Sequence, residues 1–131
     1  MPRARVDAAL VCDDVRIERS GKSIIIGVYV HDIQVIDFPA QLALTFWVRF
    51  DAPEIGDYKG QMRIKSADGA IFARGEFGFT AHENGIGAIG FERIPVHLHA
   101  EGPLKFEWQF DSGEWETVLS IPVKKRPPTT N

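Results

Sequence analysis

The chain's single cysteine, Cys12, is followed directly by two carboxylates, Asp13 and Asp14. A thiol beside two acids has the residue types of a nucleophile with general acid/base partners, or of half a metal site. A second group is His97 and His99, two imidazoles separated by one residue. On a strand, residues i and i+2 point to the same side, so this pair could ligate a transition metal. A third is Gly85-Ile-Gly87-Ala-Ile-Gly90, which matches the dinucleotide-binding G-x-G-x-x-G letter for letter. A fourth is the row of acidic turns at Asp13, Asp14, Asp32, Asp37, Asp51, Asp57 and Asp111, carboxylates of the kind some β-sandwiches gather around Ca²⁺.

Each group must be weighed against the elements that would position it. The G-x-G-x-x-G chemistry needs a helix N-terminus immediately afterwards, to present N–H groups to a pyrophosphate. The residues that follow, FERIPVHLH, alternate like a strand and contain Pro95, so the glycines read as a tight loop between strands. A cupin-type metal site needs a glutamate several residues after its histidines and another histidine on a distant strand. Glu101 follows too soon and Gly90 lies one residue too far upstream, which leaves only His82 or His31 to complete a set. His97 and His99 are therefore expected at the solvent, opposite Val96 and Leu98, as weak metal candidates. The aspartates form no recognised calcium loop, and Asp is an ordinary turn residue because its side chain bonds nearby backbone N–H groups. No G-x-S-x-G, H-E-x-x-H or P-loop is present.

The dominant period is two, which means strands. In LALTFWVRF, Leu42, Leu44, Phe46, Val48 and Phe50 share one face, and Trp47 and Arg49 share the other. In LKFEWQF, Leu104, Phe106, Trp108 and Phe110 face in. YKGQMRIKS sets Tyr58, Met62 and Ile64 against a wet face, and AIFARGEFGF sets Ile71, Ala73, Phe77 and Phe79 inward. The run Ser23 to Val30, SIIIGVYV, is almost continuously apolar and is expected as a buried central strand. At the start of the chain Val6, Ala8, Leu10 and Cys12 share one parity, and Val15 and Ile17 the other. That change of phase predicts a bulge or bend across Asp13 and Asp14. Cys12 then ends its strand as a small buried hydrophobe rather than a nucleophile.

About eight such strands and no helix predict an all-β fold. The expected form is a two-sheet antiparallel β-sandwich, immunoglobulin-like or C2-like, with a small β-barrel as the competing architecture. One domain over residues 1–123 and a disordered basic tail over 124–131 complete the expectation. The formal net charge of −3 gives no reason to expect nucleic acid or an anionic membrane surface. One cysteine excludes an internal disulfide framework. The start has no signal-peptide pattern, and no apolar run approaches the roughly 20 residues of a membrane-spanning helix, so a cytoplasmic protein is expected. Trp47 beside Arg49 is an interface candidate, as an exposed anchor or as a residue covered by a loop, the N-terminal segment or a second subunit. Trp115 is expected to close one end of the sandwich.

The segments ALVCDDVR, GKSIIIGVY, FPAQLALTFWVRF and SADGAIFARGE resemble an uncharacterised family of small bacterial proteins. The resemblance implies a single β-sandwich domain and lends no activity, cofactor or site residue. The resulting expectation is a non-enzymatic domain without a cofactor. It would act through a protein partner or as a homo-oligomer, using a sheet edge or the surface around Trp47. The competing function is a metal-dependent small-molecule-binding protein or enzyme using His97 and His99.

Overall fold

The computed structural model describes residues 3–83 and 85–127. Nine strands lie in two sheets. They are β1 (Arg5–Ile17), β2 (Ser23–Val28), β3 (Ile33–Val35), β4 (Ala40–Asp51), β5 (Gly56–Lys65), β6 (Ile71–Ala81), β7 (Ile86–Leu98), β8 (Gly102–Phe110) and β9 (Glu116–Lys125). Sheet A has the order β2-β1-β4-β7, and sheet B the order β3-β9-β8-β5-β6. All pairings are antiparallel except β3 with β9, which is parallel. The two separate sheets make this a sandwich rather than a closed barrel.

The core follows from the alternating strands. Leu44, Phe46, Val48 and Phe50 of β4 are buried against Leu104, Phe106, Trp108 and Phe110 of β8. Aromatic rings do much of the filling. Phe46 stacks on Phe106 with centroids 4.8 Å apart, and Phe50 meets the edge of Trp108 at 6.4 Å. Offset and edge-on ring contacts of this kind add to the transfer energy of the buried area. Tyr58, Met62 and Ile64 of β5 point inward as their period requires. In β6 the register with β5 shifts between Ile64 and Lys65, and Ile71 is left exposed while Phe77 and Phe79 pack on the core.

Three expectations are corrected. First, the inward phase of β1 changes at Asp7; Asp13 and Asp14 do mark a bend, where β1 parts from β4, but the phase change lies upstream of it. Val6 lies opposite Phe50 and Ala8 opposite Arg49, so Asp7 is the extra residue of a bulge. Beyond it Ala9 and Val11 face the core with Val48 and Phe46, while Ala8, Leu10 and Cys12 lie on the outer face of sheet A. The ion pair between Asp7 and Arg49 shows why the bulge residue is polar. Second, the glycine-rich run is not a loop. Ile86 to Gly90 opens β7, with Gly87 opposite Phe50. A Cβ on Gly87 would sit 2.8 Å from the Phe50 ring, so the glycine makes room for a core aromatic. Third, the last strand continues through Lys125, with Lys124 and Lys125 paired to Gln34 and Val35. The sheet therefore extends past residue 123, and the end of the expected tail, 128–131, lies outside the described residues.

Candidate interaction surface

The four sheet edges are β2, β7, β3 and β6. An open edge presents unpaired backbone N–H and C=O groups, and proteins blunt such edges with proline, charge, bulges or short strands. Strand β7 carries Pro95 and the positive-φ residue Arg93 at a break in its register with β4. Strand β3 is three residues long. Strand β6 carries Arg74 and Glu76. Strand β2, Ser-Ile-Ile-Ile-Gly-Val, has no charged residue and no proline.

This is the largest departure from the sequence-based expectation. The segment read as a central, doubly buried strand is an edge strand. Ile24, Ile26 and Val28 are 44%, 40% and 44% exposed. They lie opposite Arg16, Asp14 and Cys12 and so share one face. Of the nine exposed large hydrophobic residues among those described, six (Ile17, Ile24, Ile26, Val28, Val30 and Ile36) fall between positions 17 and 36. The apolar exposure is thus concentrated in the stretch of chain from the end of β1 to just past β3, with three of the six residues on β2 itself.

The flank is held in place by the residues that first suggested chemistry. Pairing of β1 with β4 ends at Cys12 opposite Thr45, but pairing of β1 with β2 continues to Ile17 opposite Ser23. Beyond Cys12 the β1–β2 hairpin therefore leaves β4 and leans over it toward β7. Three contacts fix it there. The Thr45 hydroxyl donates to the Asp13 carbonyl (3.3 Å) and accepts from Arg93 N–H (3.0 Å). Arg93 Nη2 reaches Asp14 Oδ2 at 3.3 Å. Val15, buried but outside the inter-sheet core, lies over Gly90.

Asp14 also accepts from Val15 N–H at 2.9 Å, which is the local backbone capping expected of an aspartate at a bend. Partial desolvation would raise its pKa, but the Val15 N–H and the Arg93 and Arg16 guanidiniums outweigh this and hold the carboxyl below the usual range. Asp13 accepts from the Tyr29 hydroxyl at 3.2 Å. Its carboxylate occupies the space beside Gly27, where a Cβ would sit 2.2 Å from Oδ2. Gly27 also has a φ of +69°, a conformation that costs other residues dearly.

Cys12 is fully buried beneath this hairpin, next to Thr45 rather than in the inter-sheet core. Burial, reinforced by the Asp13 and Asp14 charges, pushes its thiol pKa up, the opposite of an activated nucleophile. Native protein is therefore expected to react with a thiol reagent only as fast as the hairpin opens. Comparing labelling rates in buffer and in denaturant checks this, and rapid stoichiometric labelling of the native state would contradict it.

The other sequence candidates are dispersed. His97 and His99 are exposed, with Val96 and Leu98 buried between and beside them. His97 lies opposite Gln41 on β4, and His99 lines a cleft of about 310 Å³ with Asp68, Phe72 and Leu104. Among the described residues no three His, Cys, Asp or Glu side chains are grouped to hold a metal ion. Most of the acidic turns serve local structure. Asp37 accepts from Phe38 N–H at 2.8 Å and pairs with Lys125, Asp51 pairs with Arg5, and Asp57 accepts from Thr80. Trp47 is half-buried on the outer face of sheet A, opposite Leu10 and Gly90, with Arg49 exposed beside it.

Sequence reasoning did not find the group around Glu107. Arg63 Nε donates to Glu107 Oε1 at 2.7 Å, Thr117 donates to Oε2 at 3.1 Å, and the guanidinium lies 4.0 Å above the Trp115 ring. Trp115 thus caps an ion pair on the outer face of sheet B and leaves Glu107 only 8% exposed. Strand parity correctly put Glu107 on the outer face, but only the fold shows that this face is locally covered.

The family comparison agrees with the resemblance seen in the sequence. A family model described as "Family of unknown function (DUF6941)" matches residues 7–124. The chain belongs to the DUF6941 family. No curated protein matches it. The match runs from Asp7, two residues into β1, to all but the last residue of β9, and so includes the β1–β2 hairpin beyond Cys12. Among the described residues no helix is long and apolar enough to cross a membrane.

Proposed function

We propose that this DUF6941 member is a non-catalytic interaction module of bacterial cytoplasm, which binds protein chains through the β1–β2 flank. The observation that carries the reading is the uncharged, proline-free edge strand β2, with Ile24, Ile26 and Val28 exposed along one face. An exposed edge of this kind is a template for β-strand addition, in which main-chain hydrogen bonds give affinity and alternate side chains give specificity. The buried, unactivated Cys12 supports both the non-catalytic reading and a reducing compartment. Trp47 and Arg49 lie two strands in from the edge on the same outer face, where they can extend the contact.

Amine cross-linking of the protein in cell extract, followed by peptide mass spectrometry, tests this. Lys22 adjoins β2, whereas Lys59, Lys65 and Lys105 lie on sheet B. Intermolecular cross-links are expected to concentrate on Lys22, whatever the partner. A majority on the sheet B lysines would place the contact on the other side of the sandwich and end this reading.

A further inference from the structure

We infer that the partner at this edge is a second copy of the chain, paired antiparallel through β2. The inference rests on the interaction reading above and names its partner.

The charges that flank β2 select this arrangement. Arg19 and Lys22 precede the strand, Asp32 follows it, and the exposed Asp13 carboxylate lies beside Gly27 at its far end. Among the described residues Arg19, Lys22 and Asp32 take part in no ion pair within the chain. Glu18 shares the turn with Arg19 and Lys22, so that end carries a net positive charge, while Asp13 and Asp32 make the other end negative. Antiparallel pairing with a copy sets each cationic end beside the partner's anionic end, twice over. Parallel pairing would set like charges together. A foreign strand of uniform charge would match one end and oppose the other.

The apolar residues fit the same geometry. A two-fold axis perpendicular to the sheet keeps each side chain on its own face, so Ile24 and Ile26 of one copy meet the same residues of the other. With Ile25 on the axis, Ile24 lies opposite the partner's Ile26, and Ser23 opposite the partner's Gly27. The left-handed Gly27 then marks where regular pairing stops. The product is one continuous eight-stranded sheet, β7-β4-β1-β2 joined to its two-fold mate, and it is closed, because each copy uses up its β2 edge in the pairing.

The test is sedimentation of the purified full chain over a range of concentrations, with four proteins. Wild type is expected to show a concentration-dependent dimer. Ile26→Lys, on the exposed face of β2, is expected to be monomeric at every concentration and to melt where wild type melts when diluted to its monomer, since only the dimer adds concentration-dependent stability. Lys22→Asp alone and Asp32→Lys alone each set like charges at positions 22 and 32 beside one another in a self-pair and weaken the dimer about tenfold, as two surface ion pairs turn to repulsion. Mixing these two variants restores a dimer containing one of each. A wild-type chain that stays monomeric overturns the inference, while cross-links from Lys22 to a different protein would leave the interaction reading standing. A dimer that survives Ile26→Lys, or a mixture that fails to reassociate, overturns the β2 pairing.

Discussion

Replacing Trp108 by alanine is expected to cost about 3–5 kcal/mol of folding stability. The indole is fully buried in β8. It contacts the Phe110 ring at 4.9 Å, the Phe77 ring of β6 at 5.8 Å and the Phe50 ring of β4 at 6.4 Å, so it joins both sheets. Its Nε1–H donates to Glu116 Oε1 at 2.7 Å, and Glu116 in turn pairs with Arg3. The truncation removes the transfer energy of a large side chain and leaves a cavity that rings fixed on rigid strands cannot close. Domains of this size are stable by only about 5–15 kcal/mol, so the loss removes a large share of the total. Urea unfolding followed by far-UV circular dichroism measures the loss. Trp108→Phe, which keeps most of the volume and loses the hydrogen bond, should lose less than half as much. A loss below about 1 kcal/mol for the alanine variant would mean the sheets do not pack through this ring.

Thr45→Val is expected to cost about 1–3 kcal/mol, with an effect confined to the flank proposed for binding. The substitution preserves shape and removes one hydroxyl. That hydroxyl, wholly buried, both donates to Asp13 and accepts from Arg93 N–H. Valine leaves both backbone groups without that partner, and an unpaired buried donor costs its desolvation. The bond also links three strands: β1 through Asp13, β4 through Thr45 and β7 through Arg93. Losing it frees the hairpin from its seat while the inter-sheet core stays intact. Hydrogen exchange should therefore quicken for β2 and the second half of β1, with β8 unchanged, and Thr45→Ser should restore protection. Uniform acceleration across all strands would show that Thr45 supports global stability only.

The strand period of the sequence was enough to assign a two-sheet, all-β fold and most of its core. Leu44, Phe46, Val48, Phe50, Leu104, Phe106, Trp108 and Phe110 are buried as their alternation requires, because side-chain direction along an extended chain is a local property. His97 and His99 were legible as solvent-facing for the same reason.

What decided the candidate site was not local. A bulge at Asp7 reversed the faces of Ala8, Leu10 and Cys12, since one inserted residue flips every later side chain. Thr45 and Cys12 are buried on an outer face because a hairpin leans over them, and no neighbouring residue announces that. Gly87 belongs to a strand because Phe50 needs its space. SIIIGVYV shows its composition plainly, but a run of isoleucines reads the same whether it has two neighbouring strands or one. The number of neighbours is set by how all nine strands are ordered, so the structure alone turned a presumed core strand into an exposed edge.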